Sequence, residues 1–269
     1  MAVTPYENFV LSNLVEDQYK SHLNLEQFAV HDNSLELTPG MKRTVHTYTA
    51  TDGTEILAKG VGNTKTIGAS FTSKEYDILM AQSRFVYQDE DLMTDPEVVT
   101  VGAQHAGVDM FNQVNADIFA AFNTATLTST ATAPDFNCFV DASTLLNLEN
   151  LQGVNKFAFV CAKDMAKIRK ALKDDLKYMT EFSTSGYVGT VAGINLYTKK
   201  DAVENTIIMA TDGAVTLFSK KGITVEPYTE GNRGATDGNT RTNTIFTRKY
   251  YLAALTDATK AVKITITAA

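Results

Sequence analysis

The stretch "DPEVVTVGAQHAGVDMFNQVNADIFAAFN", Asp95 to Asn123, sets the frame of the whole chain. Asp95 suits an N-cap, Pro96 the first helical position and Glu97 the positive end of the helix dipole. Behind them Val98, Val101, His105, Val108, Phe111, Asn115, Ile118 and Phe122 recur at steps of three and four residues. That spacing lays one stripe along a helix of about 30 residues, about 45 Å long. It is longer than an ordinary globular helix, and its glycines and asparagines break the seam that a coiled coil would need. Gly102, Ala103, Ala106 and Gly107 near its start predict a spine that other elements cross closely. Val101, Val108, Phe111, Ile118 and Phe122 are its candidate core positions.

Upstream, "TVHTYTATDGTEILAKG", Thr44 to Gly60, reads as a β-hairpin. Its first arm starts at Val45, Asp52-Gly53 offers the turn, and the second arm is expected from Glu55 to Lys59. Neither arm has a clean apolar face, and a lone two-stranded ribbon is marginal in water. Something must cover it. Residues 5 to 30 form a weakly amphipathic helical segment with Phe9, Val10, Leu14, Leu23, Leu25 and Phe28 as its apolar positions, and "LTPG" closes it. "YDILMAQSRFVYQ" is strand-like and leads into the acidic "DEDLMTDPE".

Downstream the texture changes. "KFAFVCAKDMAKIRKALKDD" predicts a buried strand, Phe157 to Cys161, then a helix from about Asp164 to Leu176. "VAGINLYTKK" and "NTIIMATDGAVTLFSKKGITVEPY" predict strands with Gly-Ile, Asp-Gly and Lys-Gly turns. "NRGATDGNTRTN", Asn232 to Asn243, is a polar loop flanked by Arg233 and Arg241. The last stretch predicts two or three strands, ending in an alternating run from Val262 to Thr267.

Composition narrows the function. The net charge of −7 argues against tight non-specific binding to nucleic acid or anionic membrane. Acids stand in the first twenty residues where a signal peptide would need a basic start, and no apolar run is long enough to span a membrane. The chain is therefore expected to stay in the cytosol of the cell that makes it. Cys138 and Cys161 read as two buried, reduced residues. No phosphate loop, dinucleotide fingerprint, GxSxG elbow or zinc spacing occurs. His105 is expected as a packed, hydrogen-bonded core histidine. Asp89, Glu90, Asp91 and Asp95 could hold a cation, but acids ahead of a helix are ordinary capping chemistry. Arg233 and Arg241 could grip a phosphate, yet a solvated loop or a neighbour's carboxylate suits them better. No catalytic, cofactor or metal site is expected.

The order of parts resembles the major capsid proteins of tailed phages, with the Hong Kong 97 type α+β fold. "LTPGMKRTVHTYTATDG" resembles the entry to that family's extended loop, and Asp95 to Asn123 its spine helix, with Asp117 in a late "D-I" position. "FAFVCAKDMAKIRKALKDD" resembles the step that opens the axial domain. "GTVAGINLYTKKDAVENTIIMATDGAVTLFSKKGITVEPY" resembles the strands before the final return.

This resemblance implies an N-terminal arm over residues 1–40, an extended hairpin loop over 41–90 and a peripheral domain with the spine over 91–133. An axial domain would follow over 134–221, a return with the polar loop over 222–250 and closing strands over 251–269. It also implies that the hairpin lies over a neighbouring subunit, through His46, Tyr48, Asp52, Lys59 and Lys65, with Arg233 and Arg241 as polar-loop contacts. The chain would then be a structural, non-enzymatic protein of the virion capsid, assembling with itself into pentamers and hexamers in the bacterial cytoplasm. Portal and a separate scaffolding protein would be its partners, because no long charged precursor segment is present and the chain has the size of a mature product. Packaged double-stranded DNA would be touched weakly. Some shells of this fold join a hairpin lysine to a neighbour's asparagine; Lys59 and Lys65 are the candidate lysines and Asn232, Asn239 and Asn243 the candidate acceptors, but no spacing selects a pair and no cross-link is expected. Two alternatives stand: an encapsulin-like nanocompartment subunit, and a hydrolase or carbohydrate-binding module built on the β-rich half from Asn155 to Ala269.

Overall fold

The computed structural model describes residues 23–146, 154–173, 189–229 and 233–267. Most of the predicted N-terminal helical segment lies outside these residues, and so does Asn232; the helix expected from about Asp164 to Leu176 runs over Ala162–Ala171, with Leu172 at its C-cap. What is described of the N-terminal segment is a short 3-10 turn, Leu25–Phe28, capped by the Asn24 side chain, which accepts from the Glu26 N–H.

The strand after it, β1 (Val30–Asp32), leads to a ribbon of β2 (Lys42–Ala50) and β3 (Ala69–Asp77). Next come β4 (Leu79–Gln88), the short helix α1 (Asp89–Thr94) and the long helix α2 (Val98–Asn123). The chain continues through β5 (Leu127–Ala131), α3 (Phe136–Thr144), β6 (Lys156–Val160), α4 (Ala162–Ala171), β7 (Thr190–Val191), β8 (Ile194–Thr198) and β9 (Thr206–Thr211). It closes with β10 (Val215–Tyr228), α5 (Ala235–Asn239), β11 (Thr242–Leu255) and β12 (Ala261–Ile266).

The strands form three sheets. One has the order β1-β10-β11-β4, a second the order β5-β12-β9-β6-β8-β7, and the third is the ribbon β2-β3. The six-stranded sheet is covered on both faces, which is why "KFAFV" reads as an unbroken apolar run. Ala158 and Val160 face a cluster containing Phe139 of α3 and Ile168 of α4. Phe157 and Phe159 face Phe28, Phe119 and Phe122 on the other side. Phe157 and Phe159 meet Phe28 and Phe122 at centroid distances of 4.5–5.7 Å, mostly tilted or edge-on, as ring quadrupoles favour. The N-terminal turn is tied into this core through the Leu25 N–H, which donates to Asn115 Oδ1 at 2.9 Å. Cys138 and Cys161 are free and buried, and burial pushes the Cys138 thiol up to about 12.

The long helix spans 26 residues and begins at Val98, with Glu97 at the N-cap, so it is shorter than expected. Asp95 still turns the chain in, its carboxylate accepting from the Glu97 N–H. The larger difference is rotation. The inward row is Gly102, Ala106, Met110, Val114, Ile118 and Phe122. Ile118 and Phe122 are fully buried, whereas Val101, His105, Val108 and Phe111 sit half-buried on the flank. Phe85 of β4 explains the shift. A Cβ at Gly102 would lie 2.3 Å from the Phe85 ring. The helix therefore puts its smallest residues against the strand and turns the larger ones aside.

Other turns differ from expectation. Ala50 pairs with Ala69, so the hairpin's second arm is Ala69–Asp77, and the stretch from Glu55 to Lys59 belongs to a long tip. Asp52-Gly53 is not a tight turn; Gly60, not Gly53, has positive φ there. Lys221-Gly222 makes an irregularity within one continuous strand, where the β10–β11 register shifts around Lys221. The turn between β7 and β8 is Ala192-Gly193, both at positive φ, as a two-residue hairpin requires. The polar loop contains the short helix Ala235–Asn239.

Candidate intersubunit surface

The ribbon is fixed firmly at its base. The Ile78 N–H donates to the Met41 carbonyl at 2.8 Å, and Tyr76 and Ile78 pack with Leu35 and Phe218 in a small buried cluster. Lys42 reaches Glu75 and Asp77, each at 3.4 Å, and Arg43 pairs with Asp32 at 3.3 Å. Lys220 Nζ donates to the Leu35 carbonyl at 2.7 Å and also to that of Thr38, holding the turn that feeds the ribbon.

Beyond this base, nothing among the described residues covers the ribbon. Strand alternation gives it two unlike faces. One carries Arg43, Val45, Thr47 and Thr49 opposite Tyr76, Lys74, Thr72 and Ser70. The other carries His46 and Tyr48 opposite Ser73 and Phe71. There the His46 ring stands edge-on to Phe71 at 5.3 Å, and its Nδ1 is 2.8 Å from Ser73 Oγ. Tyr48 remains 73% exposed and Phe71 64%. The tip has its own order: the Glu55 carboxylate accepts from the N–H and the hydroxyl of Thr64, both at 2.8 Å. These bonds hold Glu55 below the usual carboxylate range. Ile56, Val61 and Ile67 nevertheless point into solvent.

The five hairpin residues expected to make contacts are spread along this surface. His46 and Tyr48 share the aromatic face, and Asp52, Lys59 and Lys65 are exposed at the tip.

The polar loop corrects another expectation. The Arg233 side chain is only 10% exposed, and its carboxylate partner is its own chain's Asp89. Its Nη2 donates to Asp89 Oδ1 at 2.6 Å and its Nη1 to Oδ2 at 3.1 Å, a fork-on-fork pair. Arg233 Nε donates to Asn243 Oδ1, and Asn243 Nδ2 donates back to Asp89 Oδ1 at 2.7 Å. The bonds from Arg233, then those from Asn243, hold the Asp89 carboxyl below the usual aspartate range. Arg233 is thus spent inside the subunit, and so is Asn243, 2% exposed. Arg241 is exposed, with Glu90 at 3.8 Å. The other acids serve as capping groups: the Asp91 carboxylate accepts from the Gln88 N–H. Among the described residues no three His, Cys, Asp or Glu side chains come together to hold a metal, and no helix is long and apolar enough to cross a membrane.

No family model matches the chain. It is 27% identical, over 263 residues, to the major capsid protein of Staphylococcus phage phiMR11, covering 95% of this chain and 92% of that protein. Its fold matches the capsid of cyanophage P-SCSP1u with a TM-score of 0.70 at 11% identity, over 91% of this chain and 88% of the other.

The chain has the Hong Kong 97 type capsid fold.

Within that capsid fold the likeness extends further, to a virus-like particle from Pyrococcus furiosus, with a TM-score of 0.58 at 10% identity over 94% of this chain and 96% of the other. The phage capsid gives the higher score. The chain is a relative of phage major capsid proteins, and its role is structural rather than enzymatic. The spine helix and hairpin carried that reading in the sequence. The Asp89–Arg233–Asn243 node had no comparable signal, because its members are 144 and 154 residues apart.

Proposed function

We propose that this chain is the repeating subunit of the icosahedral shell that encloses a tailed-phage double-stranded DNA genome. The supporting observation is the ribbon: braced at its base, bare beyond it among the described residues, and bearing an exposed aromatic face. A surface of that kind is stable when another molecule covers it. If the cover is a second copy, the contact is head-to-tail, and head-to-tail contacts close into rings when the rotation permits. Pentamers and hexamers follow, placed in the virion capsid and assembled in the host cytoplasm. The extended hairpin, peripheral and axial domains and polar loop take the boundaries given above. A separate scaffolding protein and a portal complete the assembly. The net charge of −7 suits a lining that touches packaged DNA weakly, since tight phosphate contacts would oppose genome release.

Size exclusion and negative-stain microscopy of purified protein test this. Rings or closed shells running far above the 29.3 kDa monomer are expected. A stable monomer at high concentration and moderate salt would sink the proposal. Particles that hold protein cargo instead of DNA when isolated from their natural source would point to the nanocompartment reading.

A further inference from the structure

Lys167 of α4 and Asn205, the residue before β9, meet away from the ribbon and the polar loop. Lys167 Nζ donates to Asn205 Oδ1 at 2.8 Å. It also donates to Asp164 Oδ1 at 2.9 Å and to Glu204 Oε1 at 3.3 Å. Asp164 is fully buried, a place where a carboxylate needs partners, and its Oδ2 accepts from the Asn205 N–H at 2.7 Å. The Asn205 carbonyl accepts in turn from the Ile266 N–H of β12 at 2.9 Å. Asn205 is thus pinned on both sides of its Cα, at a φ of 63° that asparagine tolerates better than most residues. A primary amine, a carboxamide and a buried carboxylate are held in one place.

We propose that Lys167 and Asn205 join in an isopeptide bond within the chain. The hydrogen bond to Oδ1 leaves Nζ about 3.5 Å from Cγ, close to the separation of groups poised to react. The Lys167 side chain, 40% exposed, has room to swing from the amide oxygen over the plane of the carbonyl. The hydrogen bond to Asp164 holds Lys167 above the usual lysine range, so the ammonium must first give up a proton. Asp164 Oδ1 is in reach to take it. The free amine then attacks Cγ of Asn205: the Nζ–Cγ bond forms, and the Cγ–Nδ2 bond breaks as Asp164 passes protons to the departing nitrogen. Of the three protons on Nζ, one stays in the new amide and two leave on the former Nδ2. The products are the isopeptide and an ammonium ion, Asp164 ends as it began, and nothing is oxidised or reduced. Holding both groups in place supplies the rate that an unactivated amide lacks. The link ties α4 to the turn ahead of β9 inside one subunit. It uses neither hairpin lysine and is independent of the shell reading.

Mass spectrometry of the purified protein, after incubation at neutral pH, tests the bond. The intact chain should weigh less than its sequence by one ammonia. Trypsin does not cut at a bonded lysine, so residues 164–169 should appear joined to residues 201–220. Lys167→Gln and Asn205→Ser should each abolish the joined peptides and the loss of ammonia. Asp164→Asn, which keeps the side chain's size but cannot take the proton, should leave most chains unjoined. The parent protein decides the matter even where a variant fails to fold. Full mass with separate peptides would overturn the proposal, and so would a loss of ammonia without the joined peptides, which places the change elsewhere in the chain.

Discussion

Consider excising the exposed part of the hairpin, from His46 to Ser73. Val45 and Lys74 are directly paired across the ribbon, so an Asn-Gly turn can join them without moving either strand. Every residue removed is exposed except Gly53 and Glu55. Gly53 is covered by the tip itself, since a Cβ there would lie 2.6 Å from Ile67. Glu55 is held by Thr64, which leaves with it. What stays behind is the part that matters to the subunit: Tyr76 and Ile78 against Phe218, and the ion pair of Arg43 with Asp32. The subunit loses almost no buried apolar surface. Its stability should change by no more than about 1 kcal/mol, the usual range for exposed elements. For a chain of this size that is a shift of about 2–4 °C in Tm. Assembly should fail, because the deletion removes one intersubunit contact at every position of a ring. Circular dichroism melting and electron microscopy on the same variant separate the two effects. A variant that unfolds, or melts far below the parent, would place the hairpin in its own subunit's core. One that melts normally and still builds normal particles would refute the role given to the ribbon.

Other perturbations probe the rest of the molecule. Ile118→Ala, at a fully buried site, should cost about 2–5 kcal/mol in denaturant unfolding; Phe111→Ala, on the half-buried flank, should cost under about 2 kcal/mol, and equal losses would mean that the rotation of the spine is wrong. Gly102→Ala drives a methyl group into the Phe85 ring and should cost about 1–3 kcal/mol, with Phe85→Leu in the same chain relieving part of it; a lone Gly102→Ala that melts like the parent would disprove the close crossing. The Asp89 carboxyl titrates below its ordinary value in the folded chain, so the stability it contributes is complete above that ordinary value and fades as pH falls through the folded one. Asp89→Asn should therefore melt below the parent at pH 7, the gap narrowing on acidification below about pH 4, whereas a gap constant with pH would exclude the charge as its source.

Whatever rests on local pattern could be read from the residues in order. The Asp95-Pro96-Glu97 start and the apolar spacing behind it specify a long helix, because capping and periodicity act within a few residues. "KFAFV" specifies a strand buried on both faces, because only such a strand tolerates an unbroken apolar run. The first hairpin arm was legible for the same reason, but the aromatic face that Tyr48 shares with Phe71 was not, because Phe71 lies on the second arm beyond the long tip. Tertiary structure decided the rest. The second arm begins at Ala69 because pairing across a long tip is set by the register of both strands and by the packing of Tyr76 at their base. The spine is rotated because Phe85, on another element, leaves room only for Gly102. Asp89, Arg233 and Asn243 meet although the chain keeps them more than a hundred residues apart. Each of these contacts depends on the distance between residues remote in the chain, and local periodicity holds no record of that distance.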